Sequence, residues 1–339
     1  MEQGNQYIKQ FPELFGGKTV MYVHGFGSSG QSGTVNRIRQ VLPQATVIAP
    51  DLPIHPQEAL DLLQDTCRKQ KPHLIIGTSM GGMFAEMLYG FDRILINPAF
   101  GIADTMSTHG LTGKQQFFSP RKDGVQEFYV DKALVKEYRA VSEQNFAHSA
   151  DSGEQQRVFG LFGDSDELVH TQPLFSSHYL QAATFHGEHR MNDSSFMHAV
   201  MPVVRWIDDR QEGRERPIVY IGTETLMQAD GMLRSSVQKA VRMLIEHYQV
   251  YFVAYDEGAK ANALAADMLQ QYIGIPAWSH TIVANQRHLL YGDYLIQGRC
   301  SRRWPEHEPE PMATAIELGS DTFKSWDDII EYFERLGGQ

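Results

Sequence analysis

Residues 77–81, Gly77-Thr78-Ser79-Met80-Gly81, carry a Gly-x-Ser-x-Gly spacing that can present a serine hydroxyl to a substrate carbonyl. A hydroxyl is a poor nucleophile at neutral pH, so it needs a base to take its proton and an acid to orient that base. Two downstream segments offer them. Gly163-Asp164-Ser165-Asp166-Glu167-Leu168-Val169 supplies the acid and Phe185-His186-Gly187-Glu188-His189-Arg190 the base. Asp166 is preferred because Leu168 and Val169 can then pack inward while its carboxylate hangs at the sheet edge; Asp164 is the reserve. His189 stands past a glycine turn from which its ring could reach Ser79, whereas His186 lies nearer the strand and is the weaker candidate. Any one of fourteen histidines is most simply a surface residue. Only the order Ser79, Asp166, His189, each after its own strand, points to a proton relay.

A developing oxyanion would need two backbone N–H donors, expected from Met80 after the serine and from Phe26 in the loop His24-Gly25-Phe26-Gly27-Ser28-Ser29-Gly30. Gly25 and Gly27 let that loop approach and are placed at the substrate together with Asn97. The Phe26 ring is read as a wall of an acyl pocket, and His24 as a residue that bonds its own loop.

Positioning these groups requires strands that end where they sit. Thr19 to Val23, Thr46 to Ala49, Leu74 to Ile76, Arg93 to Ile96, Val158 to Phe162 and Ala182 to Phe185 are short apolar runs suited to buried strands. Helices are expected from Thr34 to Leu42, Pro56 to about Arg68, Met80 onward, Gln172 to Ser177 and Asp193 to Ile207. Strand and helix in turn imply a parallel sheet. The alternation lapses between about 100 and 156, where Phe117-Phe118, Phe128-Tyr129 and a helix from Asp131 to Asn145 suggest an apolar cap inserted over the site.

With 339 residues, the chain is long enough for two domains, expected at 1–212 and 213–339 and joined through the charged stretch Asp208 to Arg216. In the second, Ile218 to Ile221 and Val250 to Val253 read as strands, with helices at Val237 to Tyr248, Ala261 to Gln271 and Trp326 to Leu336. Short strands are expected near Ile282 and Tyr294. Hydrophobic content of 42% and charged content of 21% are those of a globular α/β protein. The net charge of −11 supplies no concentrated positive field for nucleic acid, and no apolar run approaches a membrane span. Cys67 and Cys300 have no metal-ligand spacing and read as free thiols. Without a hydrophobic signal segment, a cytoplasmic location is expected.

Tyr22-Val23-His24-Gly25-Phe26-Gly27-Ser28-Ser29, Pro50-Asp51-Leu52-Pro53, Gly77-Thr78-Ser79-Met80-Gly81-Gly82, Ile96-Asn97-Pro98-Ala99 and Gly187-Glu188-His189 together resemble the YqiA/YcfP-type esterases of the α/β-hydrolase superfamily, over residues 19 to about 207. The resemblance implies a minimal-sheet esterase that acts on small acyl esters through Ser79, His189 and an aspartate, with no cofactor and no metal. Thioesterase or amidase activity would use the same groups, and a metabolite-binding protein could use the same pocket without turnover.

Residues 217 to 335 resemble the 5'(3')-deoxyribonucleotidase branch of the haloacid-dehalogenase superfamily, on Tyr291-Gly292-Asp293-Tyr294-Leu295-Ile296 and the segment Phe323 to Tyr332. Such enzymes need Asp-x-Asp after the first strand. Here Gly222-Thr223-Glu224 stands in that place; the register Gln228-Ala229-Asp230 recovers only one aspartate. Ala254 falls where a phosphate-binding Ser or Thr is expected, Arg287 where Lys is expected, and Gln297-Gly298 where paired aspartates would hold Mg²⁺. The resemblance therefore implies a second α/β domain without phosphatase chemistry, kept for packing, homo-oligomer formation or substrate gating.

Overall fold

The computed structural model describes residues 8–298 and 311–337. Two compact units divide the chain, Met1–Asp208 and Asp209–Gln339.

In the first unit the strands are β1 (Thr19–Val23), β2 (Thr46–Ile48), β3 (Leu74–Thr78), β4 (Arg93–Ile96), β5 (Gly113–Gln116), β6 (Glu127–Val130), β7 (Val158–Gly163) and β8 (Ala182–Phe185). Six of them form one parallel sheet in the order β2-β1-β3-β4-β7-β8. Leu74, Ile75 and Ile76 at its centre are fully buried, as strands covered on both faces must be. Register places Val23 beside Gly77 and Thr78 beside Ile96, so β1, β3 and β4 finish together at one edge. The flanking helices follow their local signals. Pro56 opens the helix Pro56–Gln70, and Val35, Ile38 and Val41 bury one face of Gly33–Val41.

The segment between β4 and β7, where an inserted cap was expected, holds helix Ile102–Thr108, an antiparallel hairpin of β5 and β6, and helix Lys132–Ser142. Asp131 caps that last helix by accepting the Leu134 N–H at 2.8 Å. The hairpin was not expected, because Gly-Lys-Gln-Gln offers no apolar alternation; its partner strand buries Phe128 and Val130.

A buried polar clasp fastens this insertion to the helix after Ser79. Glu86, fully buried on Met80–Glu86, accepts from Tyr179 Oη at 2.6 Å, Asn145 Nδ2 at 2.9 Å and the Phe146 N–H at 3.0 Å. Arg93 on β4, also fully buried, donates to the Glu86 carbonyl and pairs with Glu154. Each charge has hydrogen-bonded company, which burial demands.

Two sequence expectations change at the end of this unit. The helix expected from Asp193 to Ile207 is broken by a π-helical stretch, Phe196–Val200, between Asp193–Ser195 and Met201–Glu212. The stretch expected as a linker from Asp208 is helical as far as Glu212. Asp209 is buried there because Arg214 and Arg216 donate to it.

In the second unit, β9 (Ile218–Gly222), β10 (Gln249–Ala254), β11 (Thr281–Val283), β12 (Tyr294–Gly298) and β13 (Thr314–Leu318) make a parallel sheet in the order β11-β10-β9-β12-β13. Helices Val237–His247, Ala259–Tyr272 and Trp326–Gly337 accompany it. Trp326 is buried and its indole N–H donates to the Thr225 carbonyl at 3.0 Å. Among the described residues, no helix is long and apolar enough to cross a membrane. Cys67 is a buried free thiol that burial pushes up to about 11; Cys300 lies outside the described residues.

Arg93→Leu should leave the buried Glu154 carboxylate without its cation and lower stability by about 3 kcal/mol, the usual cost of halving a buried pair. A denaturant titration of the full-length chain, read at its first transition, checks this.

Candidate active site

Ser79 sits where β3 turns into the helix Met80–Glu86, and the turn is strained: φ is 55° and ψ −121°. A non-glycine residue in such a conformation costs of order 1–3 kcal/mol and persists only when its surroundings hold it. Here they do so through the backbone. The Ser79 N–H donates to Ile96 O at 2.9 Å, and its carbonyl accepts from Gly82, Ala99 and Met83 at 2.9, 3.0 and 3.1 Å. Two glycines make room. A Cβ on Gly81 would overlap the Val23 carbonyl, and one on Gly77 would overlap the Gly81 carbonyl.

The three residues singled out by order in the chain meet in space. His189 Nε2 lies 3.0 Å from Ser79 Oγ, and His189 Nδ1 lies 2.7 Å from Asp166 Oδ2. Asp166 is buried, its side chain 1% exposed, and its other oxygen accepts the Leu168 and Val169 N–H groups at 2.8 and 3.0 Å. Burial alone would push its carboxyl up. The His189 bond and charge, with those two N–H donors, outweigh burial and hold it below the ordinary carboxylate value. Nδ1 facing a carboxylate carries the proton, which leaves Nε2 free to accept one from Ser79.

The reserve residues form a separate pair. Asp164 Oδ2 lies 2.9 Å from His186 Nδ1, and the His186 side chain is 93% exposed. The ring takes its partner from Asp164 and does not reach Ser79. Leu168 departs from expectation as well: it is 42% exposed and lines the cavity, while Val169 is buried.

Asn97, expected at the substrate, is a correction. It is buried and adopts a left-handed conformation with φ 44°. Its Oδ1 accepts the Gly163 N–H at 2.7 Å, and its Nδ2 donates to the Glu188 and His189 carbonyls at 3.2 and 3.1 Å. Asn97 therefore ties the acid loop to the histidine loop and does not line the cavity. The signal for this was Asn-Pro after a buried strand, a position where Asn tolerates αL and bonds nearby backbone.

His24 holds the loop that carries Phe26. Its Nε2 accepts the Leu52 N–H at 3.1 Å and its Nδ1 donates to Gly25 O at 2.9 Å, a pattern that fixes the neutral tautomer. Gly25 passes against the serine, where an added Cβ would lie 3.3 Å from the Ser79 Cβ. Gly27 has another task than the one expected. With φ 69° it lies against one side of the Phe118 ring, which a Cβ would strike, and its carbonyl accepts the Phe118 N–H at 2.7 Å. Phe26 lines the cavity and packs edge-on against Phe128 and Tyr138, with centroids 5.2 and 6.4 Å apart. Buried Met80 accepts the Tyr138 hydroxyl at its sulfur, 3.3 Å away. The cavity itself measures about 470 Å³, with Ser79 and His189 in its wall.

In the second unit, the corresponding sheet edge is filled by an ion pair. Arg287 donates both terminal nitrogens to Glu224, at 2.7 and 2.8 Å, and also reaches Val253 O at 3.1 Å. Its guanidinium lies 3.9 Å from the Tyr255 ring centroid, and a Cβ on Gly222 would strike both partners of the pair. Ala254 ends β10, Gln297 and Gly298 end β12, and Asp230 accepts its own loop's Met232 N–H at 3.0 Å. Gln228 pairs with Met232 and Leu233 in the same loop. Among the described residues, no group of three or more His, Cys, Asp or Glu is arranged to hold a metal ion.

The six-stranded parallel sheet and the serine on its strand-to-helix turn give the first unit an α/β-hydrolase fold. Residues 19–184 match the family described as "Uncharacterised protein family (UPF0227)". Solved structures similar to the chain include a thioesterase domain from the curacin biosynthetic pathway, 16% identical, covering 59% of this chain and 92% of its own at a TM-score of 0.34. Another is Est1E from Butyrivibrio proteoclasticus, 15% identical, covering 58% and 88% at 0.39. A third is an α/β-hydrolase enzyme from a lagoon-sediment metagenome of Mar Chica, Morocco, 12% identical, covering 58% and 91% at 0.37. No curated protein matches the chain.

Burial holds the His24 imidazole below its ordinary value. As the pH falls through about 6.5, the unfolded chain takes up a proton that the folded chain resists, so this contribution is complete above that pH and fades below it. Tm measured from pH 8 to pH 5 should therefore fall more steeply for the parent chain than for His24→Asn.

Proposed function

We propose that the first unit is a serine hydrolase that cleaves small acyl esters. The observation that carries this reading is the unbroken line of hydrogen bonds from Asp166 through His189 to Ser79. Ser79 Oγ attacks the ester carbonyl while His189 Nε2 takes its proton, and Asp166 orients the ring and stabilises the imidazolium. The carbonyl π electrons move onto oxygen, and the resulting oxyanion faces the backbone N–H groups of Met80 and Phe26. Collapse of the intermediate expels the alcohol, which leaves with the proton held on Nε2. Water then enters, gives a proton to His189 Nε2 and attacks the acyl-serine, and a second collapse breaks the acyl–Oγ bond, frees the acid and returns that proton to Ser79 Oγ.

The exposed Asp164–His186 pair has no part in this relay. The second unit is proposed to do no phosphoryl transfer. Gly222 offers no nucleophile, the Glu224 carboxylate is bound on both oxygens by Arg287, and Ala254 has no hydroxyl for a phosphate.

Turnover of p-nitrophenyl butyrate tests the first proposal. Ser79→Ala and His189→Ala should each lower kcat by about a millionfold, and Asp166→Asn by about ten-thousandfold through the wrong imidazole tautomer. Asp164→Asn should stay near the parent rate. Full activity in Ser79→Ala would end this reading. For the second unit, full-length Ser79→Ala should show no Mg²⁺-dependent release of phosphate from nucleoside monophosphates.

A further inference from the structure

We propose that the cavity beside Ser79 takes esters bearing an anionic group, and that Arg190 recognises that group; this rests on the serine-hydrolase reading above. The chain has 41 acidic and 30 basic residues, yet the residues lining the cavity include two arginines and no aspartate or glutamate. Arg37 is already neutralised. Its Nε donates to Asp193 Oδ1 at 2.5 Å and its Nη1 reaches Met191 O at 3.4 Å.

Arg190 is in a different state. It directly follows His189, its side chain is exposed, and no acidic group pairs with it among the described residues. What holds it is the Phe118 ring, 4.9 Å from the guanidinium carbon. Phe118, exposed over most of its ring, is tied at its backbone by its N–H on Gly27 O, and one side of the ring lies against Gly27. The histidine loop, the insertion and the loop carrying Phe26 thus meet where Arg190 lines the cavity, with no acidic partner for it among the described residues. A planar guanidinium offers two parallel N–H donors that match a carboxylate or phosphate, and an aromatic backing leaves those donors available. The anion must lie away from the reacting carbonyl, where attack by Ser79 builds negative charge of its own.

Two matched ester pairs on the full-length chain test this. p-Nitrophenyl butyrate against m-carboxy-p-nitrophenyl butyrate places the charge on the leaving group. p-Nitrophenyl hexanoate against the mono-p-nitrophenyl ester of adipic acid places it on the acyl chain. In one pair, Arg190→Gln should lower the charged-to-neutral ratio of kcat/KM about tenfold, chiefly through KM, as expected for losing one charge-assisted hydrogen-bonding partner. Arg190→Lys should recover part of that ratio, and added salt should erode it in the parent. The pair that responds tells which side of the ester carries the anion. Equal ratios in parent and Arg190→Gln for both pairs would overturn the inference. If Ser79→Ala hydrolyses the neutral esters as fast as the parent, the underlying hydrolase reading has failed, and the inference falls with it.

Discussion

The strained backbone at Ser79 is the constraint on which the first unit depends. A residue at φ 55° and ψ −121° would relax if its neighbours allowed it, and β4 does not allow it. The Ile96 carbonyl and the Ala99 N–H grip the Ser79 peptide from both sides, and Gly81 lets the new helix press onto β1. The central strands have to end in register for this to work. The serine's place in the cavity wall is therefore a property of the sheet, and its hydrogen-bond partner His189 follows the sheet's last strand.

Those later strands deliver two loops, and one buried side chain coordinates them. Asn97 holds Gly163 at the root of the acid loop and the Glu188 and His189 carbonyls of the base loop. Without that bridge, each loop would choose its own conformation, and a shift of an ångström between Asp166 and His189 would cost the hydrogen bond. The insertion is held by a comparable device one layer away. Glu86, on the helix that follows Ser79, accepts from Tyr179, Asn145 and Phe146, so one carboxylate fastens the insertion to that helix. Buried polar networks of this kind specify an arrangement as much as they stabilise it.

Much of this was legible in the sequence. β1, β4 and β8 fall where apolar runs place them, because a buried central strand has little choice of composition. Ser79, Asp166 and His189 could be picked out as an ordered set, since each stands just beyond a strand, and the three are hydrogen-bonded in the structure. What escaped was fixed by partners distant in the chain. β5 has no apolar alternation and is a strand because β6 pairs with it. β13 is an edge strand with two exposed residues at its start, which weakens its pattern. Asn97 could be seen to lie at the site, but whether its amide met substrate or backbone depended on two loops more than sixty residues away. The seat of Phe118 on Gly27 was hidden for the same reason.

In the second unit, the ends of β9, β10 and β12 converge as they do in the first, yet an arginine and a glutamate close on each other there. Ser79 is the nucleophile we propose. Its most direct test is reaction of the full-length protein with a fluorophosphonate, followed by peptide mass mapping. The account predicts one adduct, on Ser79, that forms much more slowly in Asp166→Asn. Labelling of a different residue, or an unreactive Ser79 in folded parent protein, would contradict it.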